Sequence, residues 1–146
     1  MSIFIYTKYT KKQSGDAECA AIFYNRGRRP NIKMKIEHYS FGRIVVGGKA
    51  YTGDMIIYPD KVDSAWWRKE GHRLQIDDLA DVIKARPEVL VIGAGYSGVM
   101  AVPEETISHL ESLGIVVHVE RTTRAVELFN ELQKTKKAIA ALHLTC

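Results

Sequence analysis

From Met34 onward, the apolar positions fall into short continuous runs separated by stretches of helical period. Val89-Leu-Val-Ile92 and Ala138-Ile-Ala-Ala-Leu142 are uninterrupted, the pattern of strands covered on both faces. Ile115–Val119 is a third run, and Met55-Ile-Ile-Tyr58, closed by Pro59, is a fourth. Between them, Leu79, Val82 and Ile83 make an i, i+3, i+4 stripe. Asp77 stands at the capping position of this helix, and Pro87 ends it at Arg86. A second helix is expected over Glu104–Leu113, with Ile107, Leu110 and Leu113 inward and Gly114 as its stop. A third runs from Thr123 to Lys134 on Ala125, Phe129 and Leu132. Upstream, Gly47-Gly48 between Ile44-Val-Val46 and Ala50-Tyr51 marks a two-residue hairpin turn. Trp66–His72 reads as a strand end and a loop.

Strands alternating with helices imply right-handed crossovers. The expected fold is therefore α/β and three-layered: a partly parallel central sheet, crossover helices and an N-terminal antiparallel hairpin. No segment repeats, and the pattern weakens before Met34. The expected organisation is thus a basic, poorly ordered extension over residues 1–33 and one domain over residues 34–146. Met34 is itself a candidate start.

Composition narrows the class. The chain has 146 residues, 46% of them hydrophobic, enough for one domain with a real core. No run of about 18 apolar residues occurs, and the first residues lack a basic segment leading into a long apolar one. No membrane span is expected. Cys19 and Cys146 sit near opposite ends and read as free thiols of a reducing cytoplasmic compartment. The net charge of +4 is local in origin: residues 1–33 hold seven Lys/Arg against two Asp/Glu. The rest is close to neutral, so nucleic acid is not an expected partner of the folded domain. Trp66-Trp67-Arg68-Lys69 has the ingredients of a base-stacking platform, but fits better as one core tryptophan followed by cations solvating a sheet edge.

Gly93-Ala-Gly95-Tyr-Ser-Gly98 matches G-x-G-x-x-G directly after a buried strand. In a dinucleotide fold the third glycine lies inside the following helix. Here Val99-Met-Ala-Val-Pro103 intervenes, and a proline suits a first helical turn, not a helix interior. The glycines therefore read as a turn-forming loop, and no dinucleotide or other cofactor is expected.

Several segments in order carry a family resemblance. They are Tyr39-Ser-Phe-Gly42, Val89-Leu-Val-Ile-Gly-Ala-Gly95, Leu113-Gly-Ile-Val-Val117, the Thr122/Thr123–Ala125–Phe129-Asn130-x-Leu132 helix and Ala-Ala-Leu-His143. Together they resemble the small Mth-type domain family. Its members include an archaeal prototype of unknown function, a human adipogenesis-associated protein and a mitochondrial complex I assembly factor. The resemblance covers about Met34–Cys146. It implies a three-layer α/β fold with an antiparallel hairpin region added to the central sheet, and it supplies no catalytic residues. Lys136 or Lys137 stands where the family often has arginine before the last strand, and lysine does not reproduce a planar bidentate guanidinium.

Candidate chemistry is sparse. His143 and Cys146 lie i, i+3 on an extended segment and point to opposite faces, so no metal is expected. The glycine loop, Gly93, Gly95, Tyr96, Ser97 and Gly98, and the helix start at Arg121, Thr122, Thr123 and Arg124 both follow parallel strands. The carboxyl ends of such strands bind ligands in open α/β sheets, and a helix N-terminus offers N–H groups and positive potential. A small anion site results, which His72 joins if the Trp67–His72 segment folds over that edge. Two function classes remain: a protein-interaction or assembly module, which the family resemblance alone implies, or a small-molecule binder or enzyme using this loop and helix start. An exposed apolar patch favours the first and a convergent polar pocket with perturbed ionisable groups the second.

Overall fold

The computed structural model describes residues 34–146; the basic segment 1–33, with Cys19, lies outside the described residues. Gly47 and Gly48 both take positive φ, 57° and 84°, which is what a type I′ hairpin turn demands. They join β2 (Arg43–Val46) to β3 (Lys49–Tyr51), and β2 also pairs antiparallel with β1 (Ile36–Ser40). These three strands form a sheet of their own, in the order β1-β2-β3, instead of extending the central one. Asn130 holds β1 from outside the sheet: its Oδ1 accepts from Ile36 N at 2.9 Å and its Nδ2 donates to Ile36 O at 2.7 Å.

The central sheet has five strands in the order β5 (Val62–Asp63), β4 (Met55–Ile57), β8 (Ala138–His143), β6 (Val89–Ala94), β7 (Val116–Glu120). β8–β6 and β6–β7 are parallel, while β4 runs antiparallel to both β5 and β8. All six residues of β6 and of β8 are buried, because helices or loops cover both faces. The helices are α1 (Ala80–Ala85), α2 (Glu104–Ser112) and α3 (Thr122–Leu132).

Strand alternation divides the core in two. On one face Val89, Val91, Ala140 and Leu142 pack with Ala125 and Phe129 of α3 and with Ile36, Ile44 and Val46 of the small sheet. On the other, Leu90, Ile92, Ile139 and Ala141 pack with Val82 of α1, Leu110 of α2, Trp66, Leu74 and Leu79. The mixed, three-layered α/β architecture agrees with the hydrophobic pattern.

Local expectations needed correction. Asp77 does not cap the first helix. It pairs with Lys69 at 2.9 Å, while Asp78, the third residue of a 3-10 turn over Ile76–Leu79 that leads into α1, accepts at 2.9 Å from the N–H of Gln75 at the turn's N-cap. Leu113 follows α2 and is exposed; the inward positions of that helix are Thr106 and Leu110, with Ile107 only half-buried. Thr106 occupies its buried site because its Oγ1 donates to Leu74 O at 3.2 Å. Arg68 does not solvate an edge: it is 8% exposed, whereas Trp67 and Lys69 beside it are exposed.

Candidate functional site

β6 ends at Ala94, and the chain turns at Gly95 with φ +106°. A Cβ there would lie 2.2 Å from the carbonyl carbon of Cys146, so only glycine fits. Residues 144–146 run between this loop and the β1–β2 turn and take hydrogen bonds from both. Gly42 N and the Tyr39 hydroxyl donate to Leu144 O at 2.9 and 2.7 Å. Tyr96 N donates to Thr145 O at 2.6 Å, and Ser97 N and Val99 N both donate to Cys146 O at 3.2 Å. Gly98 N turns back to Gly95 O at 3.1 Å. The loop donors are thus committed to the chain's own oxygens.

The helix start lies beside the loop, as the parallel strands require. Thr122 is fully buried, and its Oγ1 accepts from Gly95 N at 2.9 Å and donates to His143 O at 2.6 Å. A Cβ on Gly93 would sit 2.8 Å from that oxygen. Thr122 therefore ties β6, β8 and α3 together and does not cap its own helix; Arg121 holds the N-cap position. Arg121 lies against Gly98, whose added Cβ would be 3.3 Å from its Cγ. Thr123 and Arg124 are exposed, and Arg124 pairs with Glu127 at 3.3 Å. His72 is not part of this group. Its ring packs against His143, 5.6 Å between centroids and 75° between planes. His143 shares the sheet face of Ala141, opposite α3.

A second polar group gathers behind the loop. Asp54 precedes β4 and His143 closes β8, so antiparallel pairing brings them side by side. His143 Nδ1 lies 2.8 Å from Asp54 Oδ2, and Leu144 N donates to Asp54 Oδ1 at 2.9 Å. Arg68 Nη2 donates to the same Oδ2 at 2.8 Å and, like its Nε, to Gly71 O. Its guanidinium sits 4.8 Å above the Trp66 ring. Burial, the largest single influence, pushes the Asp54 carboxyl up. Hydrogen bonds from His143, Leu144 N and Arg68, with a smaller contribution from the His143 charge when that ring is protonated, outweigh it together and hold Asp54 at about 2. Burial, the largest influence, pushes the Tyr39 hydroxyl upward; the Thr122 side chain opposes it next in strength, and the weaker influences of Tyr96 and Asp54 add to the rise.

In front of the loop the surface is aromatic. Phe41 at 57%, Tyr96 at 51% and Val99 at 50% exposure are large apolar side chains left in water. The Phe41 and Tyr96 rings meet edge to face at 5.9 Å, and Tyr39 lies 6.5 Å from Tyr96 on the other side.

Residues 36–143 match the model of a protein family of unknown function, DUF498/DUF598. The chain belongs to that family. It is the Mth-type family that the ordered segments resemble. A conserved hypothetical protein of Pyrococcus horikoshii has 27% identity and a TM-score of 0.67, the match covering 77% of this chain and 100% of that one. An outer membrane protein of Bartonella henselae has 24% identity and a TM-score of 0.66, over 78% of this chain and 97% of that one. A Mth938-like domain of Bordetella pertussis has 17% identity and a TM-score of 0.64, over 80% and 89%. The last two show likeness of fold alone. Among the described residues of this Mth-type domain, no helix is long and apolar enough to cross a membrane.

The Asp54–Arg68–His143 group was not legible as a motif. Its members lie 14, 75 and 89 positions apart. The available signal was positional: a carboxylate immediately before one buried strand and an imidazole at the end of another. Phe41 belongs to a segment that carries the family resemblance but gives no chemical signal, because nothing in an aromatic at a turn distinguishes a core residue from an exposed one.

Proposed function

We propose that this Mth-type domain is a protein-interaction module that docks its partner on Phe41, Tyr96 and Val99, beside Arg121. One observation carries the reading. At the carboxyl ends of the central strands, where α/β folds present their sites, exposed aromatic surface faces outward while the loop N–H groups are committed inward. Interfaces are enriched in tyrosine, phenylalanine and arginine, and contiguous exposed apolar surface marks interaction sites. Arg121 has no carboxylate partner among the described residues. The fitting partner is thus a protein segment with an apolar anchor and an acidic side chain.

The test is photo-crosslinking in the native cell, with the photoreactive residue at position 96 and, as a control, at exposed His109 on α2. A defined adduct from position 96, absent from position 109 and lost in Phe41→Ser, is the expected result. The same adducts from both positions contradict the reading.

A small anion at the same edge is a second reading, and an enzyme built on the loop would use the same groups. It is favoured by Arg121 over Gly98 and by the exposed start of α3 at Thr123 and Arg124. Phosphate at fixed ionic strength then raises the melting temperature by mass action. An unchanged melt removes this reading.

A further inference from the structure

His143 is the buried titratable residue that the docking surface leaves unused, and its two ring nitrogens have unequal surroundings. Asp54 is an ionised acceptor 2.8 Å from Nδ1. Arg68 Nη2, 3.2 Å from the same nitrogen, has only hydrogens to offer and already serves Asp54 and Gly71. In the neutral imidazole the carboxylate decides the tautomer: the proton sits on Nδ1, and Nε2 carries the lone pair. That lone pair has nothing to accept from. Among the described residues, Nε2 of His143 is the only buried side-chain nitrogen or oxygen without a hydrogen-bond partner, on a residue 5% exposed. Orphans of this kind are rare enough to require an explanation.

The donor beside the ring cannot turn to it without abandoning acceptors of its own, since Arg68 serves Asp54 and Gly71. The one separable neighbour is His72. Its main chain is fixed, with Ala101 N donating to His72 O at 2.7 Å and Leu74 N to Ala101 O at 2.9 Å. Its exposed ring meets the His143 ring at 75°, and side-chain rotation moves it without disturbing that main chain.

The geometry points to a small-ligand site at the carboxyl ends of β6 and β8, in which His143 Nε2 accepts a hydrogen bond from the O–H of a neutral hydroxyl compound and the His72 ring is the cover. The charge of the site selects neutrality. Asp54 and Arg68 cancel, so the site holds no net charge to offset the desolvation of an ionic ligand. Asp54 behind the ring strengthens Nε2 as an acceptor, which favours the more acidic hydroxyls, phenols above simple alcohols. The site lies behind the glycine loop and is independent of the aromatic docking surface in front of it.

The experiment uses the full chain with 15N-labelled histidine, phenol as the probe and anisole, the same ring without a donor, as the control. Phenol moves the His143 Nε2 resonance from the free-acceptor position toward the hydrogen-bonded one, and anisole does not. A cover closed for about nine-tenths of the time weakens apparent binding about tenfold. His72→Ala, which alters an exposed side chain, therefore lowers the phenol concentration for half-effect about tenfold. A resonance unmoved by phenol in both proteins overturns the site. Equal movement with anisole overturns the hydrogen bond, and an unchanged half-effect in His72→Ala overturns the cover.

Discussion

Replacing Asp54 by asparagine removes one negative charge and little volume from the point where β4, β8 and the Arg68 loop meet. The carboxyl is held at about 2 against an ordinary 3.8. The shift of nearly two units, at about 1.4 kcal/mol per unit, is worth about 2 kcal/mol once partial exposure of the carboxylate is discounted. Its side chain is 21% exposed, so the charge is only partly screened. The sign follows from the depressed pKa. The contribution is complete above the unfolded value of 3.8 and disappears as pH falls through about 2. The asparagine amide mimics the protonated acid, so Asp54→Asn is less stable than wild type by about 2 kcal/mol at pH 7, and the gap closes between about pH 5 and pH 2. Denaturant unfolding of both proteins across that range measures it, since other carboxylates contribute equally to the two curves. Parallel curves, or a gap at pH 7 below about 0.5 kcal/mol, would refute the ion-pair geometry.

Gly95→Ala forces a side chain to φ +106° and into the Cys146 backbone. The dihedral alone costs about 1–2 kcal/mol, so thermal denaturation shows a fall of roughly 5–10 °C; Gly71→Ala, with open space around its Cβ, stays within about 0.5 kcal/mol. Thr122→Val strands Gly95 N and His143 O in the interior and costs about 2 kcal/mol in denaturant unfolding. Exposed Thr123→Ala costs under about 0.5 kcal/mol, the reverse of the order expected if Thr123 capped α3. A chain beginning at Met34 melts cooperatively, within a few degrees of the full chain, because every periodic segment follows that residue. Insolubility or a much lower melt in calorimetry places residues 1–33 in the folding unit.

Elements that depend on local composition were legible in the chain. β6 and β8 show as unbroken apolar runs because both faces of a central strand are covered. Gly47-Gly48 shows as a turn because its conformation excludes other residues. The late start of α2 after Gly98 follows from Pro103, which occupies its N-cap. Partnerships between distant segments were not legible. Arg68 looks like a solvated cation until Asp54 arrives from another strand. Leu113 fits a helical stripe until the helix ends one residue earlier. The glycine loop looks like an anion cradle until residues 144–146 fill it, and an extended tail carries no periodic signal of where it will lie. In each case the neighbouring residues favour more than one environment, and tertiary packing selects among them.

Amide hydrogen exchange at Tyr96, Ser97 and Val99 in the full chain, with and without phosphate, tests most directly whether this loop is a seat for residues 145–146 or an open anion pocket. Committed donors predict slow exchange at all three positions, unchanged by phosphate. Exchange at the rate of an exposed loop, slowed when phosphate is added, would contradict the account and return the glycine loop to the role of a ligand site.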